Sequence, residues 1–388
     1  MEFQARSKII ISCLKRLAPY VQREVEELGF PIKETFSSGI ETEGSLNDCI
    51  KLNANLRCAS QVRYSLKWFE ANHPDDVYRN LLLIDWENIL EPDGYFSVTN
   101  SVDHPTVTNT MFINVRVKDA IVDRIREKTN SRPDSGSDLN GAVVHLHWRD
   151  DEAEIFIDTS GETLAKHGYR KIPGMAPMLE ALASATILAS KWDRQSPFIN
   201  PMCGSGTLAI EAALIATDRR PGLLRENYAF MHVKGYDENV YKDELKTIRA
   251  KVKKIPELKI IMSDNRQDAI DISKVNAELA GVDNLIEFIL CDFSETPIPA
   301  TPGVLFINPE YGERMGELTE LEVTYAAIGD FMKKKCQGYL GYIFTGNLDL
   351  AKKIGLKANR RIEFYSAQLD CRLLEYELYG GSRRTLRI

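Results

Sequence analysis

The stretch FINPMCGSGTLAIEAALIA, residues 198–216, decides the fold of this chain. Its apolar start predicts a short buried parallel strand, and from Leu208 to Ala216 the apolar residues recur at helical spacing. Between them lies a turn that contains Gly204 and Gly206. A strand, a glycine-containing turn and a helix in this order are typical of an α/β sheet that binds a ligand at the carboxyl ends of its strands.

The turn itself, residues 200–207, matches neither common phosphate-binding loop. It lacks G-x-x-x-x-G-K-[ST], and the third glycine position of G-x-G-x-x-G falls on Ala209. The N–H groups at the start of the following helix attract an anion, and glycines let a ligand approach the backbone closely. A zwitterion such as S-adenosylmethionine (SAM), with its carboxylate at the helix end, fits this turn; the alternative is an ordinary strand–helix turn. The predicted cofactor-binding residues here are Asn200, Pro201, Cys203, Gly204, Ser205, Gly206 and Thr207.

Length and charge limit the classes of protein that fit. A chain of 388 residues predicts two or three domains, and no apolar run approaches the length of a membrane span. The net charge of −7 excludes a nucleic-acid binder of the simple basic kind, so any RNA contact must come from a local patch. The seven cysteines include no C-x-x-C pair, which favours reduced thiols in a cytoplasm and gives no metal site.

The N-terminal part alternates short strands and helices. A strand over 8–14, a helix over 19–29, two strands around Ser37-Ser38-Gly39, and elements over 46–53 and 59–69 predict a small ferredoxin-like unit, residues 1–69. A second unit over 70–160 has predicted helices at 77–83 and 114–128, a strand at 95–99, and a hairpin of 143–148 with 153–158. Residues 161–177 are a polar connector to the third domain, 178–388.

Basic residues gather in the second unit and the connector. They predict a phosphate-contacting surface, and the equally weighted alternative is a solvated helix face. The candidate RNA-binding residues are Lys118, Arg124, Lys128, Arg132, Lys166 and Arg170.

Acidic residues follow the next two strands of the third domain. Asp264, with Asn265, follows a strand over 259–262, at the position where such folds hold a ribose by its hydroxyls. Asp292 follows a strand over 286–290 and is placed to meet an adenine amino group. Capping of the next helix is the less favoured alternative for each carboxylate. The segment 219–257 between the first two strands is predicted to be a helical insertion of unassigned role.

A fourth strand, 304–307, ends in Asn308-Pro309-Glu310-Tyr311. An Asn side-chain oxygen and the next carbonyl can accept both hydrogens of a planar amine, whose lone pair is otherwise delocalised into its ring. Tyr311 can stack on a flat base, and Pro309 fixes the local backbone. The predicted catalytic residues are therefore Asn308, Pro309 and Tyr311, and the alternative is a plain Asn-Pro turn. A helix over 320–335, a strand over 339–345, a helix over 349–354 and an antiparallel pair, 362–369 with 373–379, complete the α/β sheet.

Four segments together resemble the THUMP-domain RNA methyltransferases: HGYRKIPGMAPMLEALA, VKDAIVDRIREKTNSRP, NPEYGERMG and NPMCGSGTLAIEAALIATDRRPGL. The similarity covers nearly the whole chain and is greatest to the N-terminal half of the bacterial enzymes that methylate guanine N2 in 23S ribosomal RNA. It implies an α/β protein with a C-terminal Rossmann-like class I methyltransferase sheet and N-terminal α+β ferredoxin-like and THUMP domains. It also implies a SAM cofactor, 23S rRNA or a large-subunit precursor as partner, and the ribose, adenine and amine roles given above.

The chain departs from the family pattern at two positions. Asn200 stands where the family usually has Asp, and Glu310 stands where Asn-Pro-Pro-Tyr has its second proline. Because the sequence ends at Ile388, we also expect no second methyltransferase half, and the resemblance then implies one modification rather than two.

Other acceptors fit the same motifs. A tRNA guanine, a DNA adenine or a protein glutamine amide presents an equally planar nitrogen, and a non-catalytic RNA-binding assembly factor with a degenerate pocket is a further alternative. The THUMP-like region favours RNA. The sequence assigns neither the target nucleotide nor the oligomeric state.

Overall fold

The computed structural model describes residues 3–172, 177–311 and 318–380. These residues form two units. The first takes the described residues of Met1–Cys13, Val21–Leu164 and Pro221–Ala250. The second takes those of Leu14–Tyr20, Ala165–Arg220 and Lys251–Ile388.

The helices and strands follow in chain order. They are β1 (Ser7–Cys13), α1 (Ala18–Glu27), β2 (Glu34–Phe36), β3 (Gly39–Gly44), α2 (Leu46–Asn55), β4 (Ala59–Glu70), α3 (Pro74–Leu82), β5 (Tyr95–Asp103), α4 (Thr110–Thr129), β6 (Asp134–Gly136), β7 (Ala142–Arg149), β8 (Glu152–Asp158), α5 (Glu180–Ala189), β9 (Phe198–Pro201), α6 (Thr207–Ala216), α7 (Glu238–Ala250), β10 (Ile260–Asp264), α8 (Gln267–Ala280), β11 (Ile286–Leu290), β12 (Val304–Ile307), α9 (Leu318–Lys335), β13 (Leu340–Thr345), α10 (Leu348–Lys353), β14 (Arg360–Ser366) and β15 (Leu369–Glu377).

One mixed sheet of eight strands, in the order β2-β3-β1-β4-β8-β7-β5-β6, runs through the first unit. The long strand β4 joins its two halves, because it pairs with β1 at Ile9↔Tyr64 and with β8 at Phe69↔Ala153. The parts of the chain predicted as ferredoxin-like and THUMP domains therefore share one continuous sheet. Sequence patterns predict most of these strands but not this pairing, since the partners lie far apart in the chain.

The predicted insertion packs within the first unit. Helix α7 contacts α2, and the Asn55 side chain donates a hydrogen bond to the Glu244 carboxylate at 2.7 Å. Gly222 lies directly against the backbone of Ala54, and the Phe230 N–H donates to the Thr159 carbonyl at 3.1 Å. The segment 221–250 thus belongs structurally with the N-terminal strands, although it interrupts the sequence of the C-terminal sheet.

The second unit contains a seven-stranded sheet in the order β11-β10-β9-β12-β13-β15-β14. The strands from β11 to β13 are parallel, and β14 and β15 are antiparallel additions at one edge. Strand β9 lies between β10 and β12. From β9 the chain adds β10 and β11 on one side, and it then crosses over to add β12 and β13 on the other side. This is a topological switch point, where open α/β sheets bind ligands beyond the carboxyl ends of their strands. All four residues of β9 and of β12 are buried.

The structure corrects the boundaries of several predicted elements, most clearly those of the last hairpin and of helix α4. The last hairpin was predicted as 362–369 with 373–379, but Ser366 pairs with Leu369 and the turn is the two-residue Ala367-Gln368, with φ of +52° at Ala367. This turn has none of the Asn-Gly or Asp-Gly signals that identify short hairpins. Helix α4 begins at Thr110, four residues before the predicted start at Asn114, because the Asn109 side chain caps it by accepting from the Met111 N–H.

Candidate active site

The turn after β9 takes up a compact left-handed path. Met202, Gly204 and Gly206 have φ values of +55°, +54° and +80°. The Cys203 N–H donates to the Ser263 carbonyl at 3.0 Å, which ties the turn to β10. Gly206 occupies the N-cap position of α6 and has no side chain to cap the helix, so the helix N-terminus can take an acceptor from a ligand.

The two glycines of this turn have different surroundings. A Cβ on Gly206 would lie 2.9 Å from the Cβ of Ser273, whereas a Cβ on Gly204 would meet nothing within 4 Å. Gly206 is therefore required for close packing of the turn against α8, and Gly204 leaves space for a ligand beside the backbone.

A cavity of about 440 Å³ opens at the carboxyl ends of β9, β10, β11 and β12. This size lies within the usual range of small-molecule sites. Of the predicted cofactor-binding and catalytic residues, Pro201 and Gly206 do not line it. The other predicted residues that line it are Asn200, Cys203, Gly204, Ser205, Thr207, Asp264, Asn265, Asp292, Asn308, Pro309 and Tyr311.

Sequence patterns missed the apolar part of the lining. The residues not predicted include Met202, Leu208, Ala269, Ile272 and Phe293. Ala269 and Ile272 lie one helical turn apart on α8. Their three-residue spacing is the only sequence signal that could have placed them together on one face of the helix. These side chains make part of the cavity wall apolar.

Asp264 holds the glycine turn in place. Its Oδ2 accepts from the Gly204 N–H at 3.0 Å, and its Oδ1 accepts from the Arg266 N–H at 3.1 Å. A carboxylate has about four acceptor positions, so capacity for ribose hydroxyls remains after these two bonds. Asp264, the residue predicted to bind the ribose, thus also holds the turn together.

Asp292 caps the short turn Phe293–Glu295. Its Oδ1 accepts from the Ser294 N–H at 2.9 Å and from the Ser294 hydroxyl at 2.6 Å. One Asp292 oxygen therefore has the capping role that the sequence analysis gave as the less favoured alternative. The same carboxyl group lines the cavity.

Two amide oxygens in the cavity wall accept no hydrogen bond from any residue that the structure describes. Asn200 donates from Nδ2 to the Phe306 carbonyl at 2.8 Å, but its Oδ1 is buried without a hydrogen bond among the described residues. Asn308 Oδ1 is likewise buried and unpaired there. Leaving a buried acceptor unsatisfied costs about 1–3 kcal/mol, so each oxygen is a strong candidate to accept from a ligand.

Tyr311 and Glu310 stand beside Asn308 in different environments. Tyr311 is half-buried and packs against the core cluster of the second sheet, and its burial raises the pKa of the phenol above its usual value. Glu310 is exposed and lines the cavity. The residues that follow, 312–317, lie outside the described residues.

The structure separates the six predicted RNA-binding residues into two groups. Lys128, Arg132 and Lys166 are exposed and Lys118 is half-buried, and Lys128 forms an ion pair with its neighbour Glu127 at 3.3 Å. Lys118, Lys128 and Arg132 belong to the first unit and Lys166 to the second.

Arg124 and Arg170 form ion pairs with carboxylates of the protein itself, and their prediction as phosphate contacts stays a prediction. Arg124 pairs with Asp85 and with Glu87, the latter at 2.8 Å, and these carboxylates raise its pKa. Arg170 has a side chain only 7% exposed, pairs with Glu180 at 2.7 Å and donates to the Met178 carbonyl. Charge patterning alone cannot tell a buried arginine from a solvated one.

In the described ranges, no group of three His, Cys, Asp or Glu side chains is arranged to hold a metal ion. Across the same part of the chain, no helix combines the length and the hydropathy needed to cross a membrane. The seven cysteines are all free thiols.

Comparison with known proteins identifies the family. The model for the RMKL-like methyltransferase domain (UPF0020) matches residues 167–375. The chain belongs to this family. The RlmL ferredoxin-like domain model matches residues 8–63 and the THUMP model matches residues 71–158, so the predicted fold class and the family resemblance are confirmed.

Relatives of this methyltransferase family align over nearly the whole chain. The ribosomal RNA large subunit methyltransferase K/L of Syntrophotalea carbinolica is 33% identical over 96% of this chain and 53% of its own length. The chain thus spans about half the length of this relative and of its Psychromonas ingrahamii counterpart, 50% of which is covered. A Synechocystis protein with the provisional name of RNA methyltransferase is 29% identical and is matched over 98% of its length.

Solved structures show the same architecture. A provisionally named methyltransferase crystallised with S-adenosylhomocysteine (SAH) superposes with a TM-score of 0.86 at 26% identity, over 97% of this chain and 99% of that one. A protein from Listeria monocytogenes, described as a predicted N6-adenine-specific DNA methylase, gives a TM-score of 0.86 at 29% identity, over 97% of each chain. The family is one of SAM-dependent methyltransferases, in agreement with the predicted cofactor.

Proposed function

We propose that this chain is a SAM-dependent RNA methyltransferase that transfers a methyl group to the exocyclic N2 amine of a guanine in 23S rRNA. The observation that carries the proposal is the buried, unpaired Oδ1 of Asn308, which borders the same cavity as the glycine turn. The names of the rRNA methyltransferase relatives support the choice of rRNA.

The residues of the cavity fit SAM. The uncapped start of α6 suits its carboxylate, Asp264 retains acceptor capacity for ribose hydroxyls, and Asp292 can accept from an adenine amine. Ile272 and Phe293 offer apolar contacts to a purine ring. When bound, SAM supplies an electrophilic methyl group.

The target amine would be held by the Asn308-Pro309 pair. Asn308 Oδ1 accepts one N–H hydrogen and the Pro309 carbonyl accepts the other, so that the nitrogen lone pair is directed out of the base plane. These acceptors also stabilise the positive charge that develops on the nitrogen. Tyr311, half-buried against the core, stacks on the base and fixes its plane. A base in a duplex must first leave the stack to reach this position.

RNA binding is assigned to residues outside the cavity. We propose Lys118, Lys128, Arg132 and Lys166 as phosphate contacts on a protein whose net charge is −7. The THUMP match over 71–158 and the RNA-directed names of the relatives support an RNA partner. An rRNA substrate and seven free thiols favour the cytoplasm.

The proposed division of labour follows the predicted domains. Residues 1–69 and 70–160 bind RNA, 161–177 connect, and 178–388 perform the transfer. The segment 221–250 is assigned to the RNA-binding part, because α7 packs on α2.

Tritium transfer tests this proposal. Labelled SAM is incubated with the protein and total RNA from a strain that lacks the gene, and the RNA is fractionated and digested to nucleosides. We expect label in N2-methylguanosine of large-subunit RNA, and little label in RNA from the parent strain, whose site is already methylated. Label in tRNA would replace the rRNA assignment, and label in another nucleoside would replace the guanine assignment. No label together with no SAM binding would favour a non-catalytic RNA-binding factor.

A further inference from the structure

Glu310 differs from the other carboxylates of the cavity. Asp264 and Asp292 both accept hydrogen bonds from backbone N–H groups. Glu310 is exposed, lines the same cavity, and forms no hydrogen bond or ion pair with any residue that the structure describes. It also lies two residues from Asn308, whose unpaired Oδ1 is the proposed acceptor for the target amine. A carboxylate with spare acceptor capacity therefore stands next to the position of the reacting base.

The group beside the amine distinguishes the four nitrogens that Asn-Pro-x-Tyr could hold. In guanine, the ring nitrogen N1 next to the N2 amine carries a hydrogen and donates. In adenine and cytosine, the ring nitrogen next to the amine has a lone pair and accepts. A glutamine amide has only a carbonyl oxygen and a methylene group on the amide carbon. Of these, a carboxylate beside the amine forms an additional charged hydrogen bond with guanine alone, and it opposes a lone pair in adenine and cytosine.

We propose that Glu310 selects guanine by accepting the N1–H hydrogen while Asn308 and Pro309 hold the N2 amine. This specificity role rests on the proposed guanine-N2 function. Proline at this position, as in Asn-Pro-Pro-Tyr, supplies no such acceptor. The substitution at Glu310 thus adds base recognition to a motif that otherwise accepts any planar amine.

Two stem–loop RNAs test the role of Glu310. The first carries the target guanine, whose position in the labelled RNA is mapped beforehand by nuclease fragmentation, and the second carries 2-aminopurine in its place. 2-Aminopurine keeps the N2 amine but has a lone pair at N1. It also lacks O6, but this difference is the same for every variant, so a change in the guanine/2-aminopurine ratio reports the group facing N1.

Each protein is measured by two methods. The first is the rate of methyl transfer to each stem–loop. The second is equilibrium binding of both RNAs without cofactor, with 2-aminopurine fluorescence as a direct signal of base stacking. The variants are Glu310→Gln, Glu310→Ala and, as the matched control, Glu287→Gln, because Glu287 is exposed on β11 and does not line the cavity. Calorimetric titration with SAH checks that each variant retains a folded cofactor site.

We expect the wild type to prefer guanine over 2-aminopurine by about tenfold to 150-fold, the range for a hydrogen bond to a charged group. Glu310→Gln should lower this ratio by about tenfold, because an amide can either accept from N1–H or donate to a bare N1. Glu310→Ala should lower it as well, and Glu287→Gln should leave it unchanged.

The two proposals fail in different ways. Transfer to guanine with an unchanged guanine/2-aminopurine ratio in both Glu310 variants would overturn the specificity role and leave the methyltransferase proposal intact. Absence of label in N2-methylguanosine in the tritium experiment would overturn the proposed guanine-N2 function itself.

Discussion

At the level of single residues, the cavity is built from groups with incomplete hydrogen bonding. Asn200 and Asn308 each bury an amide oxygen without a described partner, and each lies at the end of a fully buried strand. The Asn200 amide also donates to the Phe306 carbonyl, so folding accounts for that side chain, but no described residue donates to either oxygen, and a buried unpaired oxygen is destabilising. Their positions are explained if a ligand supplies the missing donors.

The glycines of the turn provide a matched pair for mutagenesis. We expect Gly206→Ala to lower the free energy of unfolding by about 1–3 kcal/mol and to weaken SAM binding, because an added Cβ would lie 2.9 Å from that of Ser273. Gly204→Ala should cost less, about 1 kcal/mol, since its φ of +54° is left-handed but the space around it is open. Urea unfolding and calorimetric SAM titration measure both effects. Equal losses of the free energy of unfolding in the two variants would contradict the packing argument.

Some site residues were predictable because their signal is local, and others were not. Asp264 and Asn308 directly follow apolar runs, so strand recognition alone placed them at the carboxyl edge of the sheet. The partners of Arg124 and Arg170 could not be found in this way. Arg124 meets Asp85 and Glu87 through the packing of α4, and Arg170 meets Glu180 at the start of α5.

At the level of helices and strands, hydrophobic periodicity was sufficient for most elements. Strands β11 and β12 have the predicted limits, and α8 ends against Gly281 in a left-handed cap as the sequence indicates. The three-residue strand β6 was not predicted, because its residues Asp134–Gly136 have no apolar pattern. The β4–β8 pairing was also not predicted, because register between distant strands depends on tertiary packing.

The ion pair between Arg170 and the start of α5 is expected to stabilise the second unit. Both side chains are almost fully buried, and removal of one partner leaves an uncompensated charge in a poorly solvated site. Arg170→Ala should lower the free energy of unfolding by about 3–5 kcal/mol, measured by urea denaturation. The control is Lys171→Ala, because Lys171 is exposed. A folded, fully stable Arg170→Ala protein with weaker RNA binding would restore Arg170 to the phosphate-contacting group.

The buried histidine of β7 should make stability depend on pH. Burial lowers the pKa of His145 to about 2, with smaller contributions from the charges of Arg63 and His147. In the unfolded chain a histidine has a pKa of about 6.5, so below this pH the unfolded state binds a proton that the folded state excludes. The stabilising contribution is therefore complete above about pH 6.5 and is lost as the pH falls, by about 2 kcal/mol at pH 5.

His145→Phe isolates this effect. Between pH 7.5 and pH 5, we expect the free energy of unfolding of the variant to fall by about 2 kcal/mol less than that of the wild type. Urea unfolding at both pH values measures the difference. Parallel losses in the two proteins would show that His145 does not control this part of the pH profile.

At the level of the whole molecule, the proposed RNA partner requires a chain of net charge −7 to bind a polyanion through local basic residues. Each phosphate contact should add about 0.7–0.9 to the slope of log affinity against log salt concentration. Arg132→Ala should therefore weaken binding to RNAs of different sequence alike and reduce that slope by about this amount. Arg124→Ala should leave the slope unchanged, because this guanidinium is already neutralised by Asp85 and Glu87. Filter binding over a range of salt concentrations measures the slope for both variants. An equal reduction of the slope in Arg132→Ala and Arg124→Ala would contradict a purely structural role for Arg124.

The central claim is that the unpaired oxygen of Asn308 holds the amine that receives the methyl group. The most direct measurement is SAM binding by calorimetry and tritium transfer to RNA for Asn308→Ala, with Asn359→Ala as the control, because Asn359 lies outside the cavity. We predict unchanged SAM affinity and a loss of transfer of about 100-fold or more, the cost of removing one preorganised partner of a developing charge. Transfer by Asn308→Ala at a rate close to that of the control variant would contradict the account.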